Sequence, residues 1–159
     1  MKLDKIDRKI LELLQTNGRI TNAAIAQNVG LSPAPTLERI KKLERRGVIK
    51  GYHARLAPEK IGNQIQTFTE ITLSKHDHDV IQQFTSAVKD IPEIVGCYHT
   101  TGRADFLLRV AARDMKAYED FLLNKLTRLP KLQHVETMII LSNYKEHHTF
   151  PILAPSEEN

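Results

Sequence analysis

Thr21–Arg46, TNAAIAQNVGLSPAPTLERIKKLERR, decides how the N-terminal part of this chain folds. Thr21 can cap a short helix in which Ile25, Ala26 and Val29 face inward. Gly30 supplies the left-handed residue that ends this helix and begins a turn. Ser32 is placed to cap the next helix. Pro33 and Pro35 fall in its first turn, where backbone N–H groups have no intrahelical acceptor. Leu37, Ile40 and Leu43 form the expected buried stripe. Ala34, Pro35, Glu38, Arg39, Lys42, Arg45 and Arg46 occupy the remaining circumference. This is the layout of a helix-turn-helix whose second helix enters the major groove of duplex DNA.

Working outward, Asp4–Thr16 reads as an amphipathic helix, with Ile6, Ile10, Leu13 and Leu14 at helical spacing and Asn17-Gly18 as its stop. Downstream, Gly47 ends the basic helix. Val48–Leu56 reads as a small β-hairpin or an extended segment, a wing. Ala57–Gln64, with Pro58 and Gly62, reads as linker. The expected domains are therefore a helix-turn-helix domain over 1–56, a linker over 57–65, a sensing and oligomerisation domain over 66–150, and a tail over 151–159.

Charge supports this division. Residues 1–62 hold 13 Lys/Arg against 6 Asp/Glu, a balance of +7, whereas residues 63–159 hold 10 against 13, a balance of −3. A basic module joined to a mildly acidic one fits a polyanion binder tethered to a second activity. The one cysteine, Cys97, excludes an internal disulfide framework. No apolar run approaches the roughly 20 residues of a membrane span, and the charged N-terminus is unlike a signal peptide. The expected location is cytoplasmic, with no membrane partner.

From residue 66 onward, strand and helix signals alternate: a strand over Gln66–Ser74, a helix over Asp77–Lys89, and strands over Ile94–Thr100 and Asp105–Ala112 joined by a turn at Thr101–Ala104. A helix over Asp114–Arg128 and a strand over Gln133–Leu141 complete the order βαββαβ, that of a ferredoxin-like sandwich. The expected fold class is α+β, a winged helix-turn-helix joined to that sandwich. Both helices of such a sandwich cover one face of the sheet. Several strands are apolar on both faces, as in Phe106–Ala111, so the open face is expected to meet a second copy, giving a two-fold homodimer. The tail, Pro155-Ser156-Glu157-Glu158-Asn159, reads as disordered.

On the basic helix, Ser32, Ala34, Pro35, Thr36, Glu38 and Arg39 are expected to point at base edges. Arg39 suits guanine and Glu38 can accept from cytosine. Lys42, Arg45, Arg46, Lys50 and Arg55 suit phosphates, which position without reading sequence. Thr21 and Asn22 can hold the DNA backbone at the preceding helix start. The alternative for this face is a solvated charged surface supported by Glu38 and Lys42 at i,i+4.

Taken together, LSPAPTLERIKKLERRGVIKGY and TGRADFLLRV followed by DMKAYEDFLLNKLTRLP resemble the Lrp/AsnC (feast/famine) family of transcription regulators over almost the whole chain. The resemblance implies a dimer that can assemble into octamers, and regulation by a small effector, usually an amino acid, bound between subunits. Gly102 and Asp105 match that family's G-x-x-D pattern. The intervening residues, often acidic and aromatic, are here Arg103 and Ala104, which inverts the local charge. Ala24 stands where the family often has an acid able to complete a capping box with Thr21.

In the sensing turn, Gly102 lets a ligand or neighbouring backbone approach, and Asp105 can accept from an α-ammonium group. Thr100, Thr101 and Arg103 can donate, Arg103 bidentately to a carboxylate. Thr137 on the last strand is a further candidate for the same cleft across a subunit interface. The plain alternative is a hairpin turn with Asp105 as a turn acceptor. Cys97 and His99 share a strand face, and His76, His78, His147 and His148 lie elsewhere. None of these has the spacing of a zinc site, so no metal is expected, and Cys97 is expected to be buried. No nucleophile–base pair or phosphate loop appears, so no enzyme and no cofactor beyond an amino-acid effector is expected. A second class is kept beside this reading: a small-molecule-binding regulatory protein of amino-acid metabolism that does not bind DNA.

Overall fold

Helix α1 spans Lys5–Thr16 and opens on a capping box. The Asp4 carboxylate accepts from Asp7 N at 2.7 Å, and Asp7 returns the bond by accepting from Asp4 N at 3.4 Å. Helix α2 follows at Asn22–Val29, with Thr21 accepting from Ala24 N at 3.2 Å and Gly30 at φ 70° closing it. Helix α3 spans Pro33–Arg45. The computed structural model describes residues 3–75, 77–145 and 149–153. The expectations for His76, His147, His148 and the acidic tail lie outside the described residues.

The chain forms two units, Met1–Arg55 with Lys145–Asn159, and Leu56–Tyr144. In the first, Ile10, Leu11, Ile25, Ile40 and Leu43 make the core, with Ile6, Val29, Val48 and Ile49 packed around it. The buried stripe of α3 differs from expectation. Thr36 is 0% exposed and Leu37 is 40% exposed. Thr36, Ile40 and Leu43 have the i, i+4, i+7 spacing of one helix face, and the Thr36 hydroxyl donates to Ser32 O at 2.9 Å. A polar side chain that bonds to its own helix can lie in the core.

Of the two readings open for Val48–Leu56, a β-hairpin or an extended segment, the hairpin is absent, since the segment forms no β-ladder. Val48 N and Ile49 N donate instead to Leu43 O, at 3.0 and 3.3 Å, so the segment is an extended continuation of the α3 end. Downstream, the chain from Lys145 groups with the first unit. There Gln15 Nε2 donates to Phe150 O at 3.1 Å, Phe150 N donates to Gln15 Oε1 at 2.7 Å, and Ile152 packs on the core.

The second unit holds β1 (Ile65–Leu73), α4 (His78–Lys89), β2 (Ile94–His99), β3 (Phe106–Ala112), α5 (Met115–Asn124) and β4 (Leu132–Ile139). Its four strands are antiparallel in the order β2-β3-β1-β4, the expected ferredoxin-like arrangement. The helix expected to reach Arg128 stops at Asn124, and Leu126–Arg128 is a 3-10 turn. Ile71, Leu73, Phe84, Phe106, Leu108, Phe121 and Leu126 are core residues, filling the space between helices and sheet. Alternation along β1 points Thr67, Thr69, Ile71 and Leu73 to the helices. The two buried threonines are satisfied by a hydroxyl chain: Thr67 to Thr69 at 3.2 Å, Thr69 to Tyr118 at 3.3 Å, and Tyr118 to Thr137 at 2.6 Å. On the opposite face Phe68, Tyr98 and Met138 remain substantially exposed. Cys97, on edge strand β2, is exposed rather than buried.

Candidate nucleic-acid and effector sites

The outward surface of α3 is set by which residues the core claims. With Thr36, Ile40 and Leu43 inside, Ala34, Glu38, Lys41, Lys42 and Arg45 share the solvent side, and Arg46 and Lys50 extend it. Lys41 donates to Glu38 at 3.3 Å, an exposed i,i+3 pair. Lys41 is missing from the residues expected to meet DNA, although its spacing from Glu38 and Ala34 marks this face. The Tyr52 hydroxyl donates to Glu44 at 3.0 Å. Burial and the adjacent carboxylate push its pKa to about 12, so it stays a protonated donor. Arg55 is exposed as expected.

The leading turn of α3 has unusual chemistry. An N-cap side chain ordinarily accepts from the N–H of the second or third helical residue. Pro35 occupies the third position and has no N–H, and the Ser32 side chain makes no capping bond. The serine stays exposed beside Ala34 and Pro35. Thr36, expected at the base edges, is withdrawn by its burial. Thr21 is exposed with its hydroxyl in the α2 cap, while Asn22 Nδ2 donates to Pro33 O at 2.8 Å and ties the starts of α2 and α3 together.

Arg39 is placed differently from its expected role. Its Nη1 donates to Asp4 Oδ2 at 2.6 Å and to Asp7 Oδ1 at 2.8 Å. The Asp7 side chain is only 17% exposed. The Asp4 carboxyl is held below its ordinary value by the Asp7 backbone N–H and by Arg39, and the guanidinium pKa is raised by both acids.

In the second unit the turn between β2 and β3 carries the effector candidates. Thr100 N donates to Asp105 O at 3.0 Å, and the Thr100 hydroxyl donates to Ala104 O at 3.0 Å. Gly102 sits at φ 133°, a conformation that L side chains rarely adopt. Asp105 pins the turn to β1, its carboxylate accepting from Leu73 N at 2.7 Å and its own N–H donating to Ile71 O at 2.9 Å. Thr101 is exposed at the tip. Arg103 bridges two acids that sequence reasoning missed. Its Nε donates to Glu70 and its Nη2 to Glu136, both at 3.3 Å, and these glutamates are register partners on β1 and β4. Thr137 bonds to Tyr118 of α5, on the helix side of the sheet, while its neighbour Glu136 meets Arg103. Within one protomer, Thr137 and Arg103 do not line a common cleft.

Known proteins share this arrangement. The model of the Lrp/AsnC ligand binding domain matches residues 66–150, and that of a winged helix-turn-helix DNA-binding domain matches residues 3–50. The chain is 43% identical over 144 residues to the leucine-responsive regulatory protein of Klebsiella pneumoniae, covering 91% of this chain and 88% of the relative. The Escherichia coli K12 protein of the same name is 42% identical over the same shares. Among solved structures, a Neisseria meningitidis transcriptional regulator in complex with L-Met superposes with a TM-score of 0.88 at 36% identity, covering 94% and 97% of the two chains. AsnC of E. coli gives 0.83 at 28% identity, covering 95% and 100%.

Proposed function

The chain belongs to the Lrp/AsnC family and is a DNA-binding transcription regulator, and from that premise we propose how its residues divide the work. The observation that carries the reading is the exposed cationic side of α3 in a winged helix-turn-helix unit. Ser32, Ala34, Pro35 and Glu38 meet base edges in the major groove. Lys42, Arg45, Arg46, Lys50 and Arg55 meet phosphates, and Lys41 joins them. Thr21, at the exposed start of α2, faces the DNA backbone.

Two copies pair through the open face of the sheet, where Phe68, Tyr98 and Met138 supply apolar area that water would otherwise cover. Further assembly to an octamer follows the family pattern. The effector is an amino acid taken up at the Thr100–Asp105 turn. Arg103 offers a guanidinium to the ligand carboxylate, and Gly102 allows close approach. The Neisseria regulator in complex with L-Met supports an amino acid over other small molecules. The effector acts only through its difference in affinity between assembly states.

A gel-shift titration over a salt series, with and without each amino acid, tests this. A steep linear fall of log K with log salt is expected, and Lys42→Ala should reduce its slope by about 1. Salt-independent binding, or a slope untouched by every α3 substitution, overturns the assignment. An effector that changes neither affinity nor assembly state removes the sensing role.

A further inference from the structure

Arg39 is the α3 cation that base-reading logic singles out, yet its surroundings belong to α1. At about 100° per residue, Arg39 lies roughly 60° from Thr36 and about 140° from the centre of the outward face defined by Ala34, Lys41 and Arg45. It therefore flanks the buried side of the helix. One nitrogen, Nη1, reaches both Asp4 and Asp7, at 2.6 and 2.8 Å. Those acids are themselves fixed by the reciprocal capping box at the start of α1. Their geometry is supported by bonds that do not involve Arg39.

We propose that Arg39 is a positioning residue, held by Asp4 and Asp7 so that the outward face of α3 keeps one roll angle against α1, and that these acids rather than DNA are its partners in the bound state. Thr36, Ile40 and Leu43 hold the buried face and Asn22 ties the first turn, but packing of this kind tolerates small rolls of the helix further along. An ion pair at its flank opposes such rotation. The outward side chains then arrive at the groove with their spacing to base edges preset. The acids also cancel the guanidinium charge, so Arg39 contributes little to counterion release. The inference rests on the reading that α3 is the groove-reading helix.

The test uses full-length wild type, Asp7→Asn, Arg39→Gln, Arg39→Lys and the Asp7→Asn/Arg39→Gln double variant. Each is titrated with the tightest duplex that wild type selects from a random library, and with a random duplex, over a salt series. Thermal melts confirm that each variant is folded. Asp7→Asn and Arg39→Gln should each lower the ratio of selected to random affinity by about tenfold, the scale of misplacing a base contact. The double variant should be no worse than the poorer single, since both break one device. Arg39→Lys, which keeps one charge pair, should fall between.

Three outcomes overturn the proposal. A direct base reader would lose discrimination at one base pair in Arg39→Gln while Asp7→Asn keeps or gains affinity. A phosphate contact would lower the salt slope by about 1 in Arg39→Gln. A purely structural pair would lower the melting temperature and leave the affinity ratio unchanged. Failure of the wild type to bind DNA with salt dependence would instead remove the groove-reading role of α3, and this inference with it.

Discussion

Arg39 in the DNA-binding unit and Arg103 in the sensing unit answer the same sequence logic and end in different physical situations. Each is a guanidinium nominated to read a ligand, and each bridges two carboxylates. Arg39 joins two helices, with its side chain 33% exposed and bonds of 2.6 and 2.8 Å. Arg103 leaves a turn to reach the paired Glu70 and Glu136, with its side chain 75% exposed and both bonds at 3.3 Å. Water competes less for the first, whose Asp4 is nonetheless 51% exposed, than for the second. A clamp of the first kind holds structure together; one of the second kind can be exchanged for a ligand carboxylate at small cost. The departure from the family's acidic turn thus leaves a cation that is both neutralised and available.

The comparison can be broken at its stronger end first. Arg39→Ala removes two charge-assisted bonds and leaves Asp4 and Asp7 facing each other, so the DNA-binding unit should lose about 1–2 kcal/mol, discounted for partial exposure. Chemical denaturation followed by helix signal measures it. A loss below about 0.3 kcal/mol would put Arg39 in the same class as Arg103.

Acid titration gives the next effect. The folded-state pKa of Asp4 lies below its ordinary 3.8, first through the Asp7 backbone N–H and then through Arg39. The associated stability is present above that ordinary value and disappears as pH falls through the lowered one. Wild type should therefore lose more stability than Asp4→Asn between about pH 5 and pH 2. Parallel curves would show that Asp4 does not carry the clamp. Arg103→Ala should be smallest, within about 0.5 kcal/mol in the same denaturation, because exposed pairs contribute little. A larger loss would mean that the turn depends on Arg103 for its shape, and would weaken the case for ligand exchange.

Element order, capping residues and the charge split were legible in the sequence because each depends on neighbours along the chain. Asp4, Thr21 and Gly30 do in the fold what their types imply. What was hidden depended on contacts between distant residues. Nothing local to Arg39 says that the start of α1 will face it, although two aspartates three apart at that start were a usable sign. Glu70 and Glu136 become neighbours only through the β1–β4 register. Thr36 and Leu37 exchanged places because side-chain type outweighed helical spacing in the reading, while the fold obeyed the spacing. The pairing of Gln15 with the Phe150 backbone left no local mark at all.

The prolines at the tip of α3 have a consequence for thermodynamics as well as contact. Pro33 and Pro35 have their φ angles fixed by covalent rings, so less of that turn's backbone freedom is left to lose on docking. The neighbouring Ser32 hydroxyl, free of a capping bond, can rotate to donate to one base and accept from another. A stiff backbone carrying one adaptable rotor should show a small entropic penalty on association and tolerance of variation at the base pair beneath the serine.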